Sequence, residues 1–383
     1  MTIETEMKQV NLSSSNEVNK VLDLLKLMVD RKASDLHLRV SSPPVFRIDG
    51  QLIPEEGFPM LTAECIKAVF DYITTQEQKK NFSREYGIDF TYEITNQVRY
   101  RISALKQKGT ISMAFRMVPI EVPTIDGLEL PQICKELILR PRGLILITGP
   151  SGAGKSTTLA AMLDYLNETH RKNVLTIEDP IEFLHENKKC IIAQRELGGD
   201  TISFARAVKN ALRHDPDVIV IGEMRDLDTI SIAITAAETG HLVLGTLHTI
   251  DVTQSIDRII DMYPNGQQLQ VRMQLSQILE AVISQTLVSR IRGGRVAALE
   301  IMVANGATRN LIREQRMLEL PRNMELSSEE EGMQTMAQAL ANLVKRGIVS
   351  QEDAIIKSTN TARLRQLLSD FEYTGTEKSQ KNC

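Results

Sequence analysis

The chain has 383 residues, which at about 150 residues per domain suggests two or three domains. Lys plus Arg number 45 and Asp plus Glu 49, a net charge of −4 that argues against a surface coated in positive charge for bulk nucleic-acid binding. Hydrophobic residues at 42% and charged residues at 25% exclude wholesale disorder, and the lack of Trp leaves the core to Ile, Leu, Val and Met.

The first residues are polar, and 1–15 are expected to be flexible. From Glu17 onward Val21, Leu22, Leu24, Leu25, Leu27 and Met28 recur at helical spacing. Asp35–Leu38 alternates as a strand does. Val45–Ile48 followed by Asp49-Gly50 reads as a strand and a tight turn. Helices are expected over Thr62–Tyr72 and Thr75–Ser83, each opened by a threonine of N-cap type. Ile88–Tyr92, Val98–Lys106 and Thr110–Met117 read as a meander, with Lys108-Gly109 in a turn. Residues 16–118 are therefore expected to form a small α+β domain.

Four prolines, Pro119, Pro123, Pro131 and Pro141, mark 119–142 as a linker around one short helix, Gln132–Leu139. Beyond it the pattern changes. Leu144–Thr148, Val174–Ile177, Val218–Ile221 and Leu242–Leu247 are apolar runs, as expected for parallel strands covered on both faces. Helical stretches between them imply βαβ units, so 143–370 is expected to be an α/β domain ending in helices. Within it a long helix is expected over Gln267–Val282, two strands around Gly293-Gly294, and an acidic loop over Glu325–Glu331. Residues 371–383 read as a polar tail. Cys65, Cys134, Cys190 and Cys383 form no C-x-x-C pair, which excludes a tetracysteine zinc site and makes a disulfide framework unexpected. No apolar stretch approaches the roughly 20 residues of a bilayer span, and no secretory signal opens the chain. A cytoplasmic location, at most peripheral to a membrane, is expected.

Gly149-Pro150-Ser151-Gly152-Ala153-Gly154-Lys155-Ser156 fits G-x-x-x-x-G-K-[ST], with an apolar strand before it and helix formers from Thr157 after it. Glycines let such a loop wrap so that its N–H groups face phosphates. Lys155 would reach the β- and γ-phosphates of ATP, and the Ser156 hydroxyl would ligate Mg²⁺. The apolar strand Val218–Ile221 leads to Glu223, whose carboxylate can hold the metal through water. Another buried strand ends in Glu178-Asp179-Pro180-Ile181-Glu182. One of these three acids can polarise the attacking water, and the spacing alone does not say which. His241 and His248 flank the strand Leu242–Leu247, placed to sense a γ-phosphate but too far apart for an evident metal pair. Arg99, Arg101 and Arg116 are dense in the meander, and one of them can serve as the arginine that stabilises transferring phosphate.

The motifs TGPSGAGKSTT, TIEDPIEF, DPDVIVIGEMRD and AAETGHLVLGTLHT together resemble the hexameric ATPases of the secretion superfamily, over about Asn16 to Leu368. Within that family the chain is most similar to the retraction motors of type IV pili, a likeness also carried by ASDLHL, QRELG at Gln194–Gly198 and GMQTMAQAL at Gly332–Leu340. The resemblance implies a PAS-like N-terminal domain, a RecA-like second domain and a ring of six subunits. It implies that Glu182 polarises water, Glu223 positions Mg²⁺, His241 and His248 link phosphate state to domain position, and Arg99, Arg101 and Arg116 approach the phosphates. The motor would act on an inner-membrane platform protein of the pilus machinery from the cytoplasmic side. One departure is local. The family's AIRNLIRE stretch is Gly306–Glu314 here, with Thr308 for the usual Ile.

Retraction is expected ahead of assembly or type II secretion, whose motors usually carry a longer N-terminal region and a tetracysteine site. An accessory retraction motor shares all the motifs. A nucleotide-switched scaffold with little hydrolysis is the alternative from another class. A DNA translocase is disfavoured by the net charge and the scarcity of aromatics for base stacking.

Overall fold

The computed structural model describes residues 18–48, 50–94, 98–118, 121–327 and 331–369. The expected flexible start (1–15) and tail (371–383), Pro119 and Asp49 of the tight turn lie outside these residues. The chain divides into two compact units, Met1–Ile120 and Glu121–Cys383.

In the first unit a helix over residues 18–30 (α1) buries Val18, Val21, Leu25 and Met28, one face at i, i+3, i+7 and i+10. Strands β1 (Asp35–Leu38), β2 (Val45–Ile48) and β3 (Gln51–Pro54) follow, then helices α2 (Ala63–Ile73) and α3 (Gln76–Glu85). Thr62 caps α2, and Thr75 with Gln78 forms a capping box on α3. The meander is β4 (Gly87–Ile94), β5 (Val98–Gln107) and β6 (Thr110–Met117). All six strands form one sheet, ordered β3-β2-β1-β6-β5-β4, with every pairing antiparallel. Its registers place Phe46, Leu36, Phe115, Ile102 and Phe90 in one transverse row, all buried. Each such side chain contributes about 1.5–3 kcal/mol by leaving water. The Tyr100 hydroxyl donates to the Leu25 carbonyl at 2.5 Å, tying the sheet to α1, and burial pushes its pKa up to about 12. Strand β3 was not expected; it is a short, fully exposed edge strand whose sequence lacks alternation.

The second unit holds a seven-stranded sheet, ordered β13-β12-β7-β11-β10-β8-β9. Strands β7 (Gly143–Thr148), β8 (Asn173–Glu178), β9 (Ile191–Glu196), β10 (Val218–Ile221) and β11 (Leu242–Leu247) run parallel, as does the start of β12 (Leu279–Ser289) beside β7. Only β13 (Arg295–Val303) is antiparallel to its neighbour. Helix α4 (Ile133–Leu137) precedes the sheet. Helices α5 (Lys155–Thr169), α6 (Phe204–Ala211), α7 (Leu227–Glu238), α8 (Val252–Asp261) and α9 (Asn265–Ile278) lie between strands. Every residue of β7, β10 and β11 is buried, which is why they read as unbroken apolar runs. The mixed α/β class expected from the sequence is the class observed.

Three expectations differ in detail. The helix expected over Gln267–Val282 ends at Ile278, and Leu279–Val282 begins β12. Pairing with β7 over Leu279–Ser284 overrides a spacing that suits either element. From Glu121 onward, the segment expected as a linker packs into the second core through Ile125, Leu130, Cys134, Leu137 and Ile138. Glu325 and Leu326 of the expected acidic loop belong to helix α11 (Leu320–Leu326), and Arg363 grips the Glu325 carboxylate at 3.0 and 3.1 Å; residues 328–330 lie outside the described set.

Helix α10 (Gly306–Arg313) carries the RNLIRE stretch. Thr308 is buried, and its hydroxyl accepts from the Asn305 N–H at 2.8 Å while its own N–H donates to Asn305 at 2.9 Å. An isoleucine would keep the burial and lose this capping box. Arg309 donates to the carbonyls of Ser276 and Gln277 at the end of α9 and to Glu280 at 2.8 Å. Among the described residues no helix is long and apolar enough to cross a membrane.

Candidate functional site

Strand β7 ends at Thr148, and the chain leaves the sheet through Gly149–Gly154 to enter α5 at Lys155. The loop turns because Gly149, Gly152 and Gly154 take φ of +143°, +75° and +85°. Packing adds a second demand at two of them. A Cβ on Gly149 would stand 2.3 Å from the Gln285 carbonyl oxygen, and one on Gly154 would stand 2.9 Å from the Gln285 side-chain nitrogen. Gly152 has open space around it, so its φ alone asks for glycine. Ala153 is buried, Pro150 and Ser151 are exposed, and Ser156 and Thr157 are half-buried in the first turn of α5. Such a turn feeding a helix N-terminus gathers N–H groups and the positive helix end at one point, an arrangement suited to phosphate.

The Lys155 ammonium donates to the Gly149 and Pro150 carbonyls at 2.8 and 3.1 Å. Burial lowers its pKa, and the nearby charges of Glu223 and Glu182 oppose that fall. It also lies 3.4 Å from His248 Nδ1, while His248 Nε2 lies 2.9 Å from a Glu223 carboxylate oxygen. A neutral His248 satisfies both contacts in one tautomer, with Nε2–H donating to Glu223 and Nδ1 accepting from Lys155. Parallel pairing makes this possible. Strands β7, β10 and β11 end side by side, so residues just beyond their carboxyl ends meet at one rim. Glu223 is further gripped by Arg225. Burial pushes the Glu223 carboxyl up, but Arg225 and His248 together carry it below its ordinary value. Arg225 did not emerge from the sequence. The signal available was a basic residue two places after the acid at a strand end.

The three acids at the end of β8 differ in their surroundings. Glu178 accepts from Thr176 at 2.7 Å and Gln194 at 3.1 Å, and burial raises its pKa despite those bonds. Asp179 and Glu182 are exposed, and Glu182 is near enough to Lys155 for its charge to be felt.

The two histidines do not come together. β11 runs parallel to β7 with Leu247 opposite Thr148 and Leu242 opposite Gly143. His248 therefore lies at the loop end, and His241 about 23 Å away at the other end of the strand, at about 3.3 Å per residue. There the His241 carbonyl accepts from the Gly143 N–H at 3.0 Å, and its Nδ1 lies 3.0 Å from the Ala236 carbonyl oxygen.

Arg99, Arg101 and Arg116 belong to the first unit. Arg101 is opposite Arg116 across β5 and β6, and Arg116 is opposite Asp35 on β1. Arg99 follows on the same face as Arg101, two residues along β5, and donates to Thr91 at 2.9 Å. Arg116 donates to the buried Asp35 at 2.8 Å. Burial alone would raise the Asp35 pKa, but Ser34 and Arg116 hold it low. The result is a basic band on the sheet face opposite the first unit's core.

Residues 13–356 match the family model described as type II/IV secretion system protein. The chain is 46% identical over 334 residues to a Pseudomonas aeruginosa protein named type IV pilus retractation ATPase PilT, covering 87% of this chain and 96% of the relative. It is 44% identical over 319 residues to a Neisseria gonorrhoeae twitching motility protein, covering 83% and 85%. Its structure superposes on the crystal structure of the pilus retraction motor PilT with bound ADP at a TM-score of 0.85, with 43% identity and 90% and 99% coverage.

Proposed function

The chain belongs to the type II/IV secretion system protein family, and from that premise we propose that it is an ATP-hydrolysing motor that retracts type IV pili. The observation that carries this reading is the convergence of Lys155, His248 and Glu223 at the mouth of a glycine loop, in a chain 46% identical to a retraction ATPase. The working form is a homo-hexamer held at the cytoplasmic face of the inner membrane, where it acts on a platform protein of the pilus machinery.

ATP is the substrate. Residues Gly149–Thr157 hold its phosphates, with Lys155 against the β- and γ-phosphates. The Ser156 hydroxyl and the Glu223 carboxylate are hard oxygen donors, which fits Mg²⁺. Bound there, the ion would neutralise charge developing on the phosphates. Glu223, kept ionised below its ordinary pKa, is ready to take that role without a proton to lose. Glu182, exposed beside the loop, orients and polarises the attacking water. His248 contacts both Lys155 and Glu223, so a change in phosphate state reaches the segment after β11 directly. His241, at the opposite end of β11, does not reach the same loop within one subunit. Arg99, Arg101 and Arg116 supply the positive charge that this family brings to the transferring phosphate.

Steady turnover of Mg²⁺-ATP by the purified full chain tests the enzyme. Glu182→Gln is expected to lose at least about 10²-fold in kcat while still binding nucleotide, the range of a general base. A wild-type ring without turnover would instead support a nucleotide-switched scaffold. Deleting the gene tests the direction of work. Cells that lose twitching but keep abundant pili support retraction, and bald cells support assembly.

A further inference from the structure

A loop that turns its N–H groups inward toward phosphate must turn carbonyls outward, and a buried carbonyl without a partner is costly. The back of this loop is closed by one side chain from outside the motif. Gln285 on β12 is 2% exposed. Its Nε2 donates to the Ala153 carbonyl at 2.7 Å, and its Oε1 accepts from the Thr158 hydroxyl on α5 at 2.8 Å. One planar amide thus fixes the loop and the first turn of the helix it feeds to the same strand. The backbone of Gln285 lies under Gly149 and its amide under Gly154, so two glycines of the motif are shaped by this residue as well as by phosphate. The preceding residue acts in the same sense. Ser284 Oγ lies 2.8 Å from Thr148 Oγ1, fixing the last residue of β7.

We propose that Gln285 is a positioning residue for the phosphate loop, holding it from behind in the conformation that binds nucleotide. The inference rests on the nucleotide reading above. Without the amide, the Ala153 carbonyl and Thr158 hydroxyl seek other partners, and the loop spends less time in the binding shape. Apparent affinity falls by that fraction, while the chemistry of bound ATP is unchanged.

The test uses the full chain with Mg²⁺ and compares wild type, Gln285→Met, Thr158→Val and the double variant. Gln285→Met keeps the volume and removes both hydrogen bonds. It is expected to raise the Kd for ADP and the KM for ATP by about 5- to 150-fold, or 1–3 kcal/mol at 1.4 kcal/mol per tenfold. Its kcat should stay within about twofold at saturating ATP. Thr158→Val removes one of the two bonds and should raise Kd less. The double variant should bind no worse than Gln285→Met, because the two share one interaction. A lowered melting temperature with unchanged Kd and KM would make Gln285 merely structural and overturn the proposal, as would strictly additive effects. If Gln285→Met does not fold, Thr158→Val decides, and an unchanged Kd again overturns it. A wild-type chain that binds no ADP would defeat the nucleotide reading itself, which separates the two failures.

Discussion

Gly149 and Gly152 share a motif and a positive φ, yet the structure predicts different penalties for adding a methyl group. At Gly152 (φ +75°) nothing stands within 4 Å of the added Cβ, so Gly152→Ala costs only the left-handed backbone, about 1–2 kcal/mol. At Gly149 (φ +143°) the backbone is disfavoured by about 1–3 kcal/mol, and the Cβ also falls 2.3 Å from the Gln285 carbonyl oxygen and 3.2 Å from the Ala153 methyl. The first contact is with backbone in the middle of a sheet, which cannot step aside as a long side chain can. Overpacking of this kind adds about 1–3 kcal/mol or more. Gly149→Ala should therefore cost roughly 2–6 kcal/mol. The assay is thermal unfolding of the nucleotide-free protein, so that clashes with phosphate play no part. At about 2–4 °C per kcal/mol for a domain of roughly this size, Gly152→Ala should lower Tm by a few degrees and Gly149→Ala by clearly more. Equal shifts in the two variants would refute the reasoning, because the contact with β12 is the main difference between them.

Two further outcomes follow from the same geometry. His248→Ala should weaken the ADP affinity of a single subunit several-fold, at about 1 kcal/mol for a typical hydrogen bond, while His241→Ala should leave it within about twofold; a subunit-level effect of His241→Ala would contradict the strand register. Glu300 is buried beside the Val252 N–H and near Asp251, and burial chiefly, with the Asp251 charge, pushes its pKa up to about 7 from 4.5. The folded state therefore favours the neutral acid, and stability is lost as pH rises from about 4.5 through about 7. Glu300→Gln should gain on wild type over that window by at most about 3 kcal/mol, at 1.36 kcal/mol per pKa unit. Urea unfolding at pH 5 and pH 8 reads this, and a difference between the two proteins that does not vary with pH would refute it.

Much of the fold was legible because its strands announce themselves chemically. Apolar runs such as Leu144–Thr148 and Val218–Ile221 are what a strand covered on both faces requires, and the alternation of β5 and β6 is what a half-covered sheet requires. The failures lie where local pattern and long-range pairing compete. Leu279–Val282 continues a helical spacing, and only β7, more than a hundred residues earlier, makes it a strand. Thr75 and Gln78, by contrast, fix a helix start from four residues of sequence.

The site shows the same division. The residues proposed to hold phosphate or metal sit beside the strand ends, next to glycines and acids that a motif can register, so Lys155, Ser156, Glu223 and His248 stand out by their spacing, and Glu182 only through the family resemblance. Thr176 and Gln194 draw Glu178 inward and leave Asp179 and Glu182 exposed, and no spacing encodes that. The separation of His241 from His248 needs only the direction of β11, since six extended residues must carry the two rings to opposite ends of the sheet. The support behind the motif is the least legible part. Ser284 and Gln285 are polar residues inside a buried strand, and a polar residue there signals a partner without saying which one. Their partners, Thr148, Ala153 and Thr158, lie in the motif or beside it, but the pairing exists only because β12 aligns with β7. A motif read alone thus explains the inner face of the loop and leaves its outer face unaccounted for. Every carbonyl turned away from phosphate still needs a donor, and in this chain the donor for Ala153 lies 132 residues away on the strand beside it.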